Sequence, residues 1–333
     1  MTLEHALPVV FLGLMGFAML MYVVLDGYDL GVGMWLPAAG SDEHKDLMVA
    51  SIGPFWDANE TWLVLGVGIL LIAFPVAHGL VLTSLYLPVA AMLIGLIMRG
   101  VAFDFRVKAH DDHKPLWNGV FTAGSAIAAL AQGWMLGRYI TGFDDGAVAH
   151  VFAALIAITL PAAYMLIGAA WLVMKTEGEL QARSIEWARR MFVPLVVGIG
   201  AISLATPWAS ETVRERWFSL PEFIALAPIP LVTLAALVAL WLLLRQPQRV
   251  VGSACWVPFA LAVGVFLLAA AGLAYSLFPY VVMDRLTVWQ AASSTDALIV
   301  ILIGAGISVP AILAYTIFSY RVFGGKATLL TYG

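Results

Sequence analysis

Residues 56–75, WDANETWLVLGVGILLIAFP, form an apolar segment that begins with two acidic side chains. Asp57 and Glu60 lie three residues apart, with Asn59 between them and a tryptophan on either side. The residues that follow are apolar enough to cross a bilayer, and a transmembrane helix needs about 20 such residues. The stretch therefore predicts a membrane helix with two carboxylates at its start, although water would solvate both acids far better.

The rest of the chain has the composition of a polytopic membrane protein. Of its 333 residues, 62% are hydrophobic and only 11% are charged, whereas a soluble domain carries about 25% charged residues. The formal charge of −4 comes without a basic run, so nucleic acid is excluded as a partner. The single cysteine, Cys255, cannot form an internal disulfide and is interpreted as a small apolar residue in a helix.

Apolar stretches of sufficient length predict nine membrane-spanning helices and an all-α fold. They cover residues 6–26, 51–75, 79–104, 116–139, 148–174, 188–207, 224–245, 254–279 and 295–319. The N-terminal residues lack the basic region of a cleaved signal peptide, so we expect them to lead into the first span. The connection after the fifth span, TEGELQARSIEWARR, is expected to lie along the inner headgroups as an amphipathic turn.

Lysine and arginine residues are distributed unequally between the two sides of the predicted membrane protein. Twelve follow the odd-numbered spans: Lys45, Arg106, Lys108, Lys114, Lys175, Arg183, Arg189, Arg190, Arg245, Arg249, Arg321 and Lys326. Four lie on the opposite side: Arg138, Arg214, Arg216 and Arg285. Because cytoplasmic connections carry the excess of Lys and Arg, we expect the N-terminus outside and the C-terminus in the cytoplasm.

Four charged side chains in the first three predicted spans carry the argument. Asp26 ends the first span, Asp57 and Glu60 open the second, and Arg99 lies inside the third. An unpaired Asp or Arg near the centre of a membrane helix costs about 2.5–3.5 kcal/mol, so such groups usually face the protein interior and pair. On the expected topology all four lie in the cytoplasmic third of the bilayer.

Two interpretations of these charges remain open. In the first, Arg99 and one carboxylate form a buried pair that ties the second helix to the third. This pair leaves a second carboxylate and Asp26 without a cation. In the second, crowded carboxylates cannot all be ionised at low dielectric, so at least one carries a proton. A row of such groups opening toward the cytoplasm is typical of a proton-uptake path.

Residues that often bind cofactors give no clear site. All six histidines fall at predicted helix ends or in connections: His5, His44, His78, His110, His113 and His150. A haem iron normally takes a histidine, cysteine, methionine or tyrosine ligand, so we expect no haem ligand and no metal site in this chain. Gly27, Gly31 and Gly33 match no phosphate-binding loop, and they predict a bend and a close approach between helices.

Three motifs together resemble subunit II of the cytochrome bd-type quinol oxidases. They are YVVLDGYDLGVGMWLP (22–37), SIGPFWDANETWL (51–63) and RGVAFDFR (99–106). The closing stretch YRVFGGKATLLTYG (320–333) is similar to that family's tail, and the short chain resembles the compact, cyanide-insensitive branch. The family fold implies two four-helix bundles, at 1–140 and 141–280, followed by a peripheral ninth helix and a cytoplasmic tail at 281–333.

The resemblance implies a respiratory enzyme of the bacterial inner membrane that oxidises quinol at the outer face and reduces oxygen to water. It generates proton motive force without pumping, because the protons for water come from the cytoplasm. In this family two haems b, one haem d and the quinol site belong to subunit I, which forms a heterodimer with subunit II. The other implied partners are a very small accessory subunit and membrane lipids, and some members hold a structural quinone in subunit II.

The resemblance also implies roles for individual residues. Asp57 matches an acid on a cytoplasmic proton path, and Asp26 and Asp29 match acids near its entrance. Trp62 matches a tryptophan that lines an apolar route for oxygen. Glu60 departs from the family pattern, so a part in the proton path would be this chain's own. No catalytic residue is expected in this subunit.

Two alternatives come from other functional classes. A proton-coupled secondary transporter would also need membrane acids, but the chain lacks the paired broken helices that usually mark a midplane substrate site. A purely structural scaffold would use Asp57, Glu60 and Arg99 for packing alone. A haem-rich partner that co-purifies with the chain would distinguish the oxidase subunit from the transporter.

Overall fold

The computed structural model describes residues 2–110 and 112–328, and in these ranges nine helical segments are long and apolar enough to cross a membrane. The helices are α1 (Leu3–Trp35), α2 (Asp42–Ile52), α3 (Trp56–Ala73), α4 (Pro75–Lys108), α5 (Lys114–Ile140), α6 (Ala147–Lys175), α7 (Gly178–Ala209), α8 (Glu211–Phe218), α9 (Glu222–Leu226), α10 (Pro228–Leu244), α11 (Pro247–Val250), α12 (Val257–Leu277), α13 (Val288–Ala291) and α14 (Thr295–Val322). The spans are α1, α3, α4, α5, α6, α7, α9 with α10, α12 and α14. The predicted number of spans and the helical fold are confirmed.

A small hairpin between α12 and α13 is the exception to the all-α prediction in the described residues. Strands β1 (Tyr280–Val282) and β2 (Leu286–Thr287) pair antiparallel, and Asp284 takes a positive φ of 56° in the turn between them. The division of the spans into two four-helix bundles stays a prediction. The last five residues of the tail motif, 329–333, lie outside the described residues.

The first helix is longer than predicted. We expected it to end at Asp26, but α1 continues to Trp35, and a 3-10 turn at Leu36–Ala38 follows. The predicted bend at the glycines is therefore wrong, whereas the close helix approach is confirmed. A Cβ atom built on Gly31 would lie 1.8 Å from the backbone oxygen of Tyr164, so α1 and α6 are in backbone contact there. This contact holds the end of α1 inside the protein.

The second span begins later than predicted. Ser51 and Ile52 belong to α2, and the chain turns through residues 53–55 before α3 begins at Trp56. Gly53 keeps a helical conformation, and the break follows at Pro54, which has no backbone N–H to continue the hydrogen bonds of the helix. The Ser41 hydroxyl caps α2 by accepting a hydrogen bond from the His44 amide at 3.2 Å.

The segment after the fifth span is not a separate amphipathic turn. Only Thr176 and Glu177 separate α6 from α7, which starts at Gly178 and includes the rest of the segment. Leu180, Ser184 and Trp187 of this part are buried, so its apolar face packs against the protein. The helical periodicity was interpreted correctly, but tertiary packing extended it into the following membrane helix.

Helix α1 occupies the centre of the first half of the molecule, where it packs against α3, α5 and α6. The neighbouring pairs α4–α5, α5–α6 and α6–α7 pack along their lengths, and α10 packs against α12. Helix α14 lies at the periphery, with only Leu298, Thr316 and Ser319 of its residues buried. This arrangement surrounds the polar half of α1 with other helices, which sets the position of the charged side chains.

Candidate functional site

Two of the acids lie on the buried part of α1. Asp26 and Asp29 are three residues apart and therefore share one face of the helix, and both are fully buried. The structure corrects the position of Asp26, which lies inside α1 rather than at its end. An ionised carboxylate buried at low dielectric needs a cation or hydrogen-bond donors.

Arg99 of α4 supplies the cation and contacts two carboxylates. Its Nη1 lies 2.5 Å from Asp26 Oδ1, and its Nη2 donates a hydrogen bond to Glu60 Oε1. The side chains of Arg99 and Asp26 are both 1% exposed, whereas that of Glu60 is 26% exposed. The guanidinium thus joins α1, α3 and α4 in one ion-pair triad. In one of the two interpretations of the sequence, Arg99 paired with one carboxylate and left Asp26 without a cation; the structure corrects this, because Asp26 is one of its partners.

Asp57 lies apart from this triad. It is exposed on the first turn of α3, and it forms none of the ion pairs found within residues 2–110 and 112–328. Asp57 and Glu60 are three residues apart on one helix, so they follow each other from the surface toward Arg99. The structure therefore brings Asp26, Glu60 and Arg99 together and leaves Asp57 at the surface.

Asn59 connects Asp29 to a group of aromatic hydroxyls. Its Nδ2 lies 2.8 Å from Asp29 Oδ2 and 3.0 Å from the Tyr28 hydroxyl, with a longer contact of 3.4 Å to the Leu25 carbonyl. Tyr320 of α14 places its hydroxyl 2.6 Å from that of Tyr28 and 3.3 Å from Asn59 Oδ1. Sequence reasoning missed these partners, since an asparagine and two tyrosines far apart in the chain carry no signal of their contact.

A second chain of hydrogen bonds runs from α1 to α5 and α6. Gln132 Nε2 donates to the Tyr22 hydroxyl at 2.7 Å, and the Tyr164 hydroxyl donates to Gln132 Oε1 at 2.7 Å. All three side chains are buried. Gln132 stands in an apolar helix, and a buried amide needs partners for both its N–H and its oxygen. The sequence therefore did contain a signal for these hydrogen bonds.

The cluster contains more carboxylates than cations. Asp26, Asp29 and Glu60 face the single positive charge of Arg99. Asp26 Oδ2 and Asp29 Oδ1 are buried and accept no hydrogen bond from the described residues. Because three negative charges cannot all persist around one cation at low dielectric, a proton on one of these oxygens relieves the excess. The arrangement is chemically able to hold a proton and to pass it between neighbouring carboxylates.

Trp62 lies on α3 and is 0% exposed. Its ring meets Phe17 of α1 edge to face at a centroid distance of 5.7 Å. The indole Nε1 is buried and has no hydrogen-bond partner among the described residues. The surroundings of Trp62 are thus apolar, as a route for a small apolar molecule would require.

The histidines of the described residues lie at or near the starts of helices. His5, His78 and His150 lie in the first turns of α1, α4 and α6, His44 lies on the short helix α2, and His110 and His113 precede α5. In the described part of the chain, no group of three His, Cys, Asp or Glu side chains is placed to hold a metal ion.

Comparison with known proteins agrees with this combination of nine spans and membrane-embedded acids. A family model described as cytochrome bd terminal oxidase subunit II matches residues 7–323. The chain belongs to this family. The assignment makes it a subunit of a quinol oxidase with haem cofactors in the complex and a subunit I as its partner, and it replaces the transporter alternative.

Individual relatives of the cytochrome bd subunit II family match nearly the whole chain. Cytochrome bd ubiquinol oxidase subunit 2 of Bacillus subtilis (strain 168) is 28% identical over 320 residues, with 91% of each chain covered. Cytochrome bd-I ubiquinol oxidase subunit 2 of Escherichia coli (strain K12) is 27% identical over 360 residues, covering 95% of this chain and 93% of the relative. The chain is therefore a multi-pass bacterial membrane protein.

The fold is also similar to a solved structure. A chain in the structure of bd oxidase from Geobacillus thermodenitrificans superposes with a TM-score of 0.75 at 16% sequence identity, covering 97% of this chain and 99% of that chain. Similarity at this identity is evidence for the fold alone. The roles of Asp57, Asp29, Asp26, Glu60, Arg99 and Trp62 have to be argued from their geometry.

Proposed function

We propose that this subunit conducts protons from the cytoplasm toward the oxygen-reducing site of the quinol oxidase. Asp57 receives the proton at the surface, and Glu60, Asp26 and Asp29 form the buried part of the path. The positive charge of Arg99 stabilises these carboxylates in the low-dielectric interior. We assign no catalytic residue, no cofactor-binding residue and no metal ligand within residues 2–110 and 112–328.

The single observation that supports this proposal is the triad centred on Arg99. Its guanidinium contacts Asp26 and Glu60 at once, so a proton that moves between these carboxylates remains beside the same cation. Glu60 is partly exposed and Asp26 is fully buried, which gives the row one accessible end and one enclosed end. A merely structural pair would need only one of the two acids.

The direction of transport follows from the expected topology. The excess of lysine and arginine places the loop before α3, and with it Asp57, on the cytoplasmic side. Quinol protons are released at the outer face, and the protons that form water are taken from the cytoplasm. The two half-reactions then separate charge across the membrane without a pump.

The remaining parts of the enzyme are assigned to its partners. We propose that subunit I carries two haems b, one haem d and the quinol site, and that a very small accessory subunit completes the complex. Trp62 borders an apolar route for oxygen from the bilayer, and lipid or a structural quinone is bound at the surface of the spans. The proposed orientation places the N-terminus outside.

Exchange of Asp57 for asparagine in the intact complex tests the proton path. We expect Asp57→Asn to slow quinol oxidation and proton uptake per haem by at least about tenfold. This lies below the 10²–10⁴-fold effect of a lost general acid, because water reaches an exposed position. Glu43→Gln is the matched control, since Glu43 is an exposed acid on α2 that precedes the same span.

The same experiment separates a proton path from a scaffold. Normal turnover and normal proton uptake in Asp57→Asn would contradict the proposal. Loss of haem content with unchanged turnover per remaining haem would assign Asp57 to packing. The proposal also fails if Glu43→Gln slows proton uptake as much as Asp57→Asn does.

A further inference from the structure

The last turn of α14 inserts one polar side chain into the buried cluster. Helix α14 is otherwise mostly exposed, but the Tyr320 ring stacks on Phe55 at a centroid distance of 4.5 Å and an interplanar angle of 29°. Tyr28 stacks in the same way on Trp171 at 4.2 Å and 20°. Two phenol hydroxyls from opposite ends of the chain therefore meet between aromatic rings.

Counting hydrogens shows that these hydroxyls and Asn59 form a closed ring. Asn59 Nδ2 donates to the Tyr28 hydroxyl, and the Tyr320 hydroxyl donates to Asn59 Oδ1. Since each phenol has a single hydrogen, the bond of 2.6 Å between the hydroxyls is donated by Tyr28 to Tyr320. Every member of the ring donates once and accepts once within it.

The ring determines which side of the Asn59 amide faces Asp29. With Oδ1 accepting from Tyr320, the amide N–H groups point toward Tyr28 and toward Asp29 Oδ2 at 2.8 Å. Rotation of the amide by a half-turn would place its oxygen against the carboxylate oxygen of Asp29. That arrangement is repulsive when Asp29 is ionised, so the orientation matters to the charge of Asp29.

We propose that Tyr320 is a positioning residue for Asp29, because its hydroxyl holds the Asn59 amide with an N–H group directed at the Asp29 carboxylate. The importance of this contact for proton uptake rests on the proposed function, in which Asp29 belongs to the proton path. The positioning itself does not depend on it. The other ionisable groups that act on Asp29 are Arg99 of α4, Asp26 of α1, Glu60 of α3 and Tyr28 of α1, and replacing Tyr320 removes none of them.

The segment after α14 holds Tyr320 in place. Lys175 Nζ, at the end of α6, donates to the carbonyl oxygens of Phe323 at 2.5 Å and Gly325 at 2.7 Å. The Ala327 amide donates in return to the Lys175 carbonyl at 2.7 Å. Because Lys175 is only 3% exposed, this clamp fixes the end of a helix that is otherwise loosely packed.

Infrared difference spectroscopy on the intact complex tests the positioning. Aspartate bands are identified by ¹³C-aspartate labelling, and the band of Asp29 is the one that Asp29→Glu or Asp29→Asn removes. Tyr320→Phe keeps the stacked ring and loses only the hydroxyl. Tyr315→Phe is the matched control, because Tyr315 is an exposed tyrosine on the same helix.

We expect Tyr320→Phe to shift the Asp29 band and to slow proton uptake per haem by about two- to tenfold, the range for one lost hydrogen bond, with quinol affinity unchanged. Tyr28→Phe removes the other phenol hydroxyl from the hydrogen-bonded ring and should shift the Asp29 band as well. It provides a second test if Tyr320→Phe assembles poorly. Tyr315→Phe should change neither quantity.

The outcomes distinguish this inference from the proposed function. An Asp29 band that stays in place in Tyr320→Phe overturns the positioning, as does an equal shift in Tyr315→Phe. If Tyr320→Phe does not assemble, an unshifted band in Tyr28→Phe overturns it. Normal proton uptake in Asp29→Asn overturns the role of Asp29 in the proton path. In that case a band shift in Tyr320→Phe still supports the positioning.

Discussion

Replacing Arg99 by methionine should destabilise the subunit chiefly through Asp26. Methionine approximates the length and apolar stem of arginine but removes the cation that contacts both Asp26 and Glu60. Asp26 is 1% exposed and has no other cation partner among the ion pairs of the described residues, so the variant leaves its carboxylate buried without a counter-ion. Glu60 is 26% exposed, and solvent screens part of its charge.

The size of the effect follows from removing one partner of a buried ion pair. Such a change leaves the other charge buried without its counter-ion and typically costs about 3–5 kcal/mol.

Thermal inactivation of the purified complex, followed by haem absorbance at a fixed scan rate, measures this effect. Arg99→Met should lower the midpoint temperature. Adding Asp26→Asn to Arg99→Met should recover most of the loss, whereas Glu60→Gln should recover little. Rescue by Glu60→Gln as complete as that by Asp26→Asn would refute this prediction.

Two further predictions concern packing and oxygen access. Gly31→Ala should reduce the amount of haem-bearing complex in the membrane, because the new Cβ would lie 1.8 Å from a backbone oxygen of α6. Gly16→Ala is the control and should assemble normally, since a Cβ there would have no heavy atom within 4 Å. Equal yields of the two variants would contradict this prediction. Trp62→Phe should raise the rate at which oxygen binds after flash photolysis, since a smaller ring widens the apolar route, while quinol oxidation at saturating oxygen stays unchanged. An unchanged rate of oxygen binding would argue against a route beside Trp62.

Sequence reasoning recovered the spans better than their ends. Pro54 is a helix-breaking residue visible in the sequence, and α3 begins after it, at Trp56 rather than at residue 51. The end of α1 was harder to predict. The stretch after Asp26 contains three glycines and one aspartate, which suggest a loop, yet it continues as helix because α6 packs closely against it. Local propensity is a weak guide where a helix is buried on all sides.

Sequence reasoning named some members of the buried cluster but not their connections. Asp26, Glu60 and Arg99 stood out because charges inside a membrane are expensive and usually paired. Which acid pairs with Arg99 depends on contacts between α4, α1 and α3, and those contacts are absent from any local pattern. The missed partner Tyr320 lies 292 residues from Tyr28, and only helix packing brings their hydroxyls together.

By itself, the sequence predicted nine membrane-spanning helices, the number of suitable helices that residues 2–110 and 112–328 contain, and charged groups buried among them. The reason is that a bilayer requires long apolar helices with satisfied backbone groups, and each span meets this requirement through its own residues. The tertiary structure alone decided that Arg99 bridges two carboxylates and that α14 completes the ring around Asn59. Such contacts depend on the relative positions of separate helices, which small residues such as Gly31 allow to approach closely.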